Sequence, residues 1–372
     1  MLSRSWIKAL LIGWLMLSAC GSSETVVERQ NFHGKRPRNV IFLIGDGMGI
    51  GQITAGMYSN KNQLHLERCP VVGLIKTTSG DDLITDSAAG ATAFATGKKT
   101  YNGAIGVDMD TLPHPTLLEI AEQQGLATGL IATSEITHAT PACFIAHQYN
   151  RLMYEAIAAD FMNTDVDLII GGGFKYFAQR RDGRNLIEEL KERGYYVRDH
   201  QFPLRRLDVP TGMNLAYFTA DTKPERKEEG RDYLPDAADY ATQFLKERNS
   251  KGFFLMIEGS QIDWGGHANS QEYIISEVLD FNETIGRVLD FAVEDQHTLV
   301  VITADHETGG FAINRGSEMG ELRTGFTTGG HTGNMVPVFA YGPGAEFFAG
   351  IYDNTQIFHK IMQAYGFQSP GP

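Results

Sequence analysis

Asn39-Val40-Ile41-Phe42-Leu43-Ile44-Gly45-Asp46-Gly47-Met48-Gly49 is the stretch from which the fold of this 372-residue chain can be read. A run this short and this rich in Val, Ile and Leu fits a strand buried on both faces. Asp46 follows at its carboxyl end, where open α/β sheets gather their ligands. Taken alone, Gly45-Asp46-Gly47 is a tight turn, because Asp and Gly are common turn formers. The four glycines between Gly45 and Gly51 also let the backbone approach an ion or ligand closely.

The pattern recurs three times. Phe253–Ile257 is followed by Glu258, Leu299–Ala304 by Asp305-His306, and Ala127–Ala132 leads toward His138 and Thr140. Strands are expected at 39–44, 126–132, 167–170, 253–257, 297–303 and 336–341. Helices are expected at 87–96, 116–124, 149–162, 185–193, 237–249 and 271–294. This alternation predicts a three-layer α/β fold, a mostly parallel central sheet flanked by helices. Length and the 42% hydrophobic content allow one large domain or two of ordinary size. The charged stretch 174–233, with Arg180-Arg181 and the run Lys223–Glu229, reads as a surface insertion in a single domain spanning 39–368, because strand-like runs resume after it.

Asp263 and His267 are four apart and share a face on a helical turn. Carboxylate with imidazole is an ordinary zinc pairing, although taken alone at this spacing a surface turn is the simpler reading. Asp305-His306 is a second such pair, and His331 in Gly329-Gly330-His331-Thr332-Gly333 is a third imidazole. Asp46, Asp263, Asp305 and three histidines exceed what one ion needs, so a two-metal site is the better account. Glu258 and Thr140 offer oxygen only, which suits Mg²⁺, while Thr140 before Pro141 could equally serve as a helix cap. Ser87 opens an Ala-rich helix; it is either a cap or a nucleophile set where free N–H groups and the positive dipole end favour an anion. Arg151 can grip two oxygens of a phosphoryl group. The remaining histidines show no grouping.

A formal net charge of -13 disfavours nucleic acid as a specific partner. A phosphate-handling enzyme with this surface needs local positive charge, which bound cations can supply. Residues 1–20 have the parts of an export signal: Arg4 and Lys8, an apolar stretch from Ala9 to Leu17, then Leu17-Ser18-Ala19-Cys20. The last four resemble the lipobox of bacterial lipoproteins, which would place a lipid on Cys20; an ordinary signal peptide with a chance Cys is the alternative. Residues 21–38 would then be a tether. Cys69 and Cys143 are expected to be buried and structural.

Together, Asp46-Gly47-Met48-Gly49, Thr85-Asp86-Ser87-Ala88-Ala89, Ala139-Thr140-Pro141-Ala142, Glu258-Gly259-Ser260 through Asp263 to His267, Thr303-Ala304-Asp305-His306 and His331-Thr332-Gly333 resemble the alkaline phosphatase family, from about Asn39 to Gly366. The resemblance implies one zinc held by Asp263, His267 and His331, a second by Asp46, Asp305 and His306, and Mg²⁺ held by Asp46, Thr140 and Glu258. It implies that Ser87 is the nucleophile, that Arg151 binds phosphate, and that small phosphate monoesters of broad type are hydrolysed through a phosphoserine. It further implies a homodimer in the periplasm or cell envelope. His138 and Trp264 stand where the best-known bacterial pattern has Asp and Lys; Trp264 cannot supply an ammonium to the phosphate shell. The C/S-x-P-x-R signature of sulfatases is missing around Ser87, and Thr140 and Glu258 argue against a diesterase.

Overall fold

The Asn39 run becomes a central strand of a ten-stranded sheet in the computed structural model, which describes residues 32 and 34–368. The strands are β1 (Asn39–Gly45), β2 (Val71–Lys76), β3 (Ala127–Glu135), β4 (Leu168–Gly172), β5 (Tyr195–Asp199), β6 (Asn214–Phe218), β7 (Phe253–Gly259), β8 (Thr298–Thr303), β9 (Val336–Tyr341) and β10 (Gly350–Asp353). Their spatial order is β10-β2-β9-β8-β1-β7-β3-β4-β6-β5. Only β9 is antiparallel to its neighbours; every other pairing is parallel. Every residue of β1, β7 and β8 is buried, as strands covered on both faces must be.

The register brings the strand ends together. Ile44 on β1 lies opposite both Glu258 on β7 and Thr303 on β8, and Ala132 on β3 lies opposite Glu258. Asp46, Glu258 and Asp305-His306 therefore leave adjacent strands at one edge of the sheet. Four helices complete the frame around that edge: α1 (Ile50–Ser59), α2 (Ser87–Thr96), α3 (Gln261–His267) and α4 (Gln271–Asp295). The Ala-rich α2 is buried on all sides and stops at Gly97, whose φ of +72° is left-handed. The long α4 begins with Ser270 capping the Tyr273 N–H and packs its apolar stripe on α1 and α3.

The stretch 174–233, expected as a surface insertion, is instead part of the main sheet: it supplies β5 and β6 at one end. Its charges misled because an end strand buries only part of itself; Tyr195 and Val197 of β5 are buried while Arg198 and Asp199 are half-exposed. The helix expected at 149–162 is confined to Tyr154–Asp160, and α1, hidden behind the glycines that precede it, was not expected. Cys69 and Cys143 are free and buried, and burial pushes both thiols up to about 12. The leader, Cys20 and tether residues 21–31 and 33 lie outside the described residues.

Candidate metal centre and active site

Gly47 sets the centre's floor. Its φ is +71°, and a Cβ there would meet the Asp263 Cα at 2.7 Å, so only glycine lets the β1 turn pack against α3. Its N–H donates to Asp305 Oδ1 at 3.1 Å, which turns the other Asp305 oxygen inward. The glycines at this turn thus serve close approach of backbone to protein.

Three imidazoles point the same nitrogen at the centre. His267 Nδ1 lies 2.8 Å from the Gly329 carbonyl and His331 Nδ1 2.8 Å from that of Thr85, so both Nδ1 atoms carry the proton. The Thr308 hydroxyl gives its one proton to Asp263 Oδ1, leaving its lone pair to accept from His306 Nδ1 at 3.2 Å. All three Nε2 lone pairs then face the centre. Those of His267 and His331 face each other at 3.1 Å, and that of His306 lies 3.2 Å from Asp305 Oδ2 and 3.4 Å from Asp46 Oδ1. Acceptors facing acceptors at these distances require a shared cation or proton.

The carboxylates give the same message. Both Asp46 oxygens, Asp305 Oδ2, Glu258 Oε1 and the Thr140 hydroxyl are buried without a hydrogen-bond partner. Leaving such groups unpaired costs about 1–3 kcal/mol each, more when charged. The donor atoms of Asp263, His267 and His331 fall within 4.8 Å of one another, as do those of Asp46, Asp263 and His306, and those of Asp46, His138 and Glu258. One cluster has two imidazoles and one carboxylate, and the other two have two carboxylates and one imidazole each, so the donor set fits cations.

Electrostatics of the metal-free chain follow. Burial, with the charges of Asp305, Asp263 and Glu258, raises the Asp46 carboxyl far above its usual range. Burial and then Asp263 raise Asp305 to about 6. Burial would raise Asp263 too, but without cations a proton held by His331 Nε2 against its carboxylate, together with the neighbouring imidazoles, keeps it well below the carboxylate range. Burial and Arg151 push His138 down to about 3, so its ring is neutral.

Burial raises Glu258 to about 7, against 4.5 in the unfolded chain. Between those values the metal-free folded chain keeps a proton that the unfolded chain has released, so this contribution to stability is lost as pH rises through the window. Glu258→Gln removes that loss. In chelator, the unfolding free energy of the variant relative to the parent is expected to climb from pH 5 to pH 8.5 by on the order of a few kcal/mol, read by denaturant melts at each pH. A difference independent of pH would contradict it.

Ser87 occupies the first turn of α2 without capping it. Asp86 is the cap, its Oδ1 accepting from the Ala89 N–H at 2.9 Å, which leaves the Ser87 hydroxyl 3.3 Å from His306 Nε2. The other Asp86 oxygen accepts from Arg151 Nη1 at 2.9 Å, and Arg151 Nη2 lies 3.4 Å from His138 Nε2. Trp264 packs edge-on against His138 at 5.9 Å. All twelve residues singled out in the sequence thus stand in or directly beside one constellation. The supporting residues were not foreseen. Thr308 and Asp86 are detectable only as neighbours of His306 and Ser87. Ser260 was read only as part of the Glu258 motif and Ser134 not at all, yet the hydroxyls of both donate to Glu258 Oε2.

The alkaline phosphatase family model matches residues 37–323 and 319–367. Alkaline phosphatase 3 of Bacillus subtilis is 37% identical, the alignment covering 88% of each chain. The alkaline phosphatase of the Antarctic bacterium TAB5 is 43% identical, superposes with a TM-score of 0.86, and is covered completely by 90% of this chain. A variant of that enzyme with Mg bound in its M3 site superposes at 0.85, again with 43% identity, covering 90% of this chain and 99% of the other. Likeness of this extent carries with it metal-dependent hydrolysis of phosphate monoesters through a phosphoserine. With the glycine-floored turn, the inward Nε2 atoms and the partnerless carboxylates all falling inside the matched segments, the chain belongs to the alkaline phosphatase family.

Proposed function

We propose that Ser87 is the nucleophile of this phosphomonoesterase. Asp263, His267 and His331 would hold one zinc, Asp46, Asp305 and His306 a second, and Asp46, Thr140 and Glu258 a Mg²⁺. The observation that carries this reading is the convergence of three inward imidazole Nε2 atoms and five partnerless buried oxygens around one serine hydroxyl. When bound, the cations supply Lewis acidity to the serine, leaving-group and water oxygens. His138, grouped with Asp46 and Glu258, brings a nitrogen close to the oxygen-rich cluster and weakens its preference for Mg²⁺.

The chain's own residues then act in order. Ser87 Oγ attacks phosphorus, the bond to the ester oxygen breaks, and the alcohol leaves on the side of Asp263 and His267. Arg151, aimed by Asp86, spans two non-bridging phosphoryl oxygens and stabilises the charge of the transition state. Water attacks the phosphoserine from the vacated side, the P–Oγ bond breaks, and phosphate is released with Ser87 regenerated.

Comparing rates on aryl phosphate, bis-aryl phosphate and aryl sulfate tests the reaction class. The monoester is expected to exceed the other two by at least about 10³-fold in kcat/KM, a margin set by whether the dianionic phosphoryl group meets its full set of partners. A diester or sulfate turned over faster than the monoester would overturn the reading.

We also propose export, with a lipid on Cys20 and tethering to a membrane of the cell envelope; the support is Leu17-Ser18-Ala19-Cys20 after an apolar run. A homodimer is supported by an exposed apolar surface. Leu83 and Leu152 are 78% and 68% exposed, and hydrogen bonds from Asn102 to the Ile84 carbonyl and from Tyr101 to that of Tyr149 tie their segments together.

A further inference from the structure

Trp264 stands between the metal-binding face of α3 and a second cavity. Asp263 and His267, four apart, belong to the cluster, while Gln261, Trp264 and Ala268 line a cavity of ≈ 410 Å³ that is also lined by Lys223, Arg226 and Tyr273 and by the carboxylates Glu225 and Glu229. That volume is enough for the alcohol portion of a small ester. The ammonium of Lys223 lies 5.6 Å from the Trp264 ring centroid, and the Arg226 guanidinium 4.3 Å from that of Tyr273, both in cation–π range.

This wall is anchored on both flanks. The buried Gln261 amide donates to the carbonyls of Thr133 at 2.8 Å and of Pro224 and Glu225 at 3.2 Å, and its oxygen accepts from the Tyr273 hydroxyl at 2.6 Å. Further along, Arg231 is buried against Glu277 and Asp280, and Lys227 pairs with Asp280 at 2.8 Å. The backbone carrying Lys223 and Arg226 is therefore fixed beside α3. Among the described residues no carboxylate lies within ion-pair distance of Lys223, and the one paired with Arg226, Glu229, is 3.9 Å away. Glu225 and Glu229 balance the two cations over the cavity lining as a whole, so the positive charge that faces Trp264 is the Lys223 ammonium alone.

We propose that this cavity receives the leaving-group part of the substrate and that Lys223 makes the enzyme favour alcohols bearing an anionic group of their own, such as a carboxylate or second phosphate. The inference rests on the reading above, in which the alcohol departs on the α3 side. A fixed cation near an incoming anion acts mainly on capture, so the effect belongs in KM and fades with salt.

The test compares kcat/KM for 4-carboxyphenyl phosphate and phenyl phosphate in the parent, Lys223→Gln and Lys251→Gln. Lys251 is exposed just before β7, at the opposite end of the sheet, and controls for net charge. Comparing the between-substrate ratio of each variant with that of the parent cancels the different acidities of the two phenols. Lys223→Gln is expected to lower the carboxylated-to-plain ratio about five- to tenfold at low ionic strength, with the loss shrinking in added salt, and Lys251→Gln to move it less than twofold. A ratio unmoved by Lys223→Gln, or moved equally by Lys251→Gln, overturns the proposal. Phenyl phosphate turnover by the parent reports separately on the underlying phosphatase reading, and its absence would overturn both.

Discussion

Ser87→Ala is expected to lower kcat for an aryl phosphate by at least about 10³-fold, because the remaining route is direct attack by water on a phosphoryl group bound in place for a different nucleophile. KM is expected to stay within a few-fold, since Arg151 and the cation sites are untouched. The variant isolates chemistry from folding. Ser87 sits in the first turn of α2, where Asp86 rather than Ser87 satisfies the Ala89 N–H, and alanine is a strong helix former. Its melting temperature should therefore match the parent's closely. Rapid quenching with ³²P-labelled ester at acidic pH checks the intermediate directly, because phosphoserine survives acid: the parent should carry label and Ser87→Ala none. Activity within tenfold of the parent, or label on the variant, would remove Ser87 from the mechanism.

The second large effect is a change of sign. With cations bound, Asp46 is expected to contribute two of its oxygens to them; without cations, the same oxygens are buried, partnerless and crowded by Asp305, Asp263 and Glu258. Asp46→Asn removes a charge and adds two amide hydrogens that can reach those neighbours. In chelator the variant should therefore melt above the parent, since an unpaired buried charge costs several kcal/mol. In zinc and magnesium the order should reverse, and the variant should be nearly inactive. Chelation of the parent should itself lower the melting temperature by on the order of 10 °C, because each tight cation adds a few kcal/mol that is lost on removal. Asp46→Asn that destabilises equally with and without cations would show that the carboxylate is paired within the protein after all.

The site was more legible in the sequence than the sheet that carries it. Asp46, Glu258 and Asp305-His306 follow all-apolar runs, and such runs have few alternatives to a doubly covered strand, so both the strands and the positions beyond them could be read. Asp263 and His267 share a helical face whatever surrounds them. What could not be read was set by tertiary contacts. Val71–Lys76 and Gly350–Asp353 lie toward one end of the sheet, Tyr195–Asp199 and Asn214–Phe218 at the other. Val71–Lys76, Tyr195–Asp199 and Gly350–Asp353 bury only part of their length, and the charges of Tyr195–Asp199 look like loop. Ser87 as a possible cap and Asp86 as a bystander exchanged roles, because sequence alone cannot say which of two adjacent capping residues precedes the first helical turn. Thr308 and the carbonyls of Thr85 and Gly329, which fix the imidazole tautomers, are recognisable only once the three histidines are in place.

Elemental analysis of the purified enzyme, followed through stepwise chelation and reconstitution with activity measured at each step, bears most directly on the convergence around Ser87. The account expects two zinc and one magnesium per chain, activity lost as zinc is withdrawn, and recovery when zinc and magnesium are returned together. Full phosphatase activity in a chain freed of all three cations would contradict it.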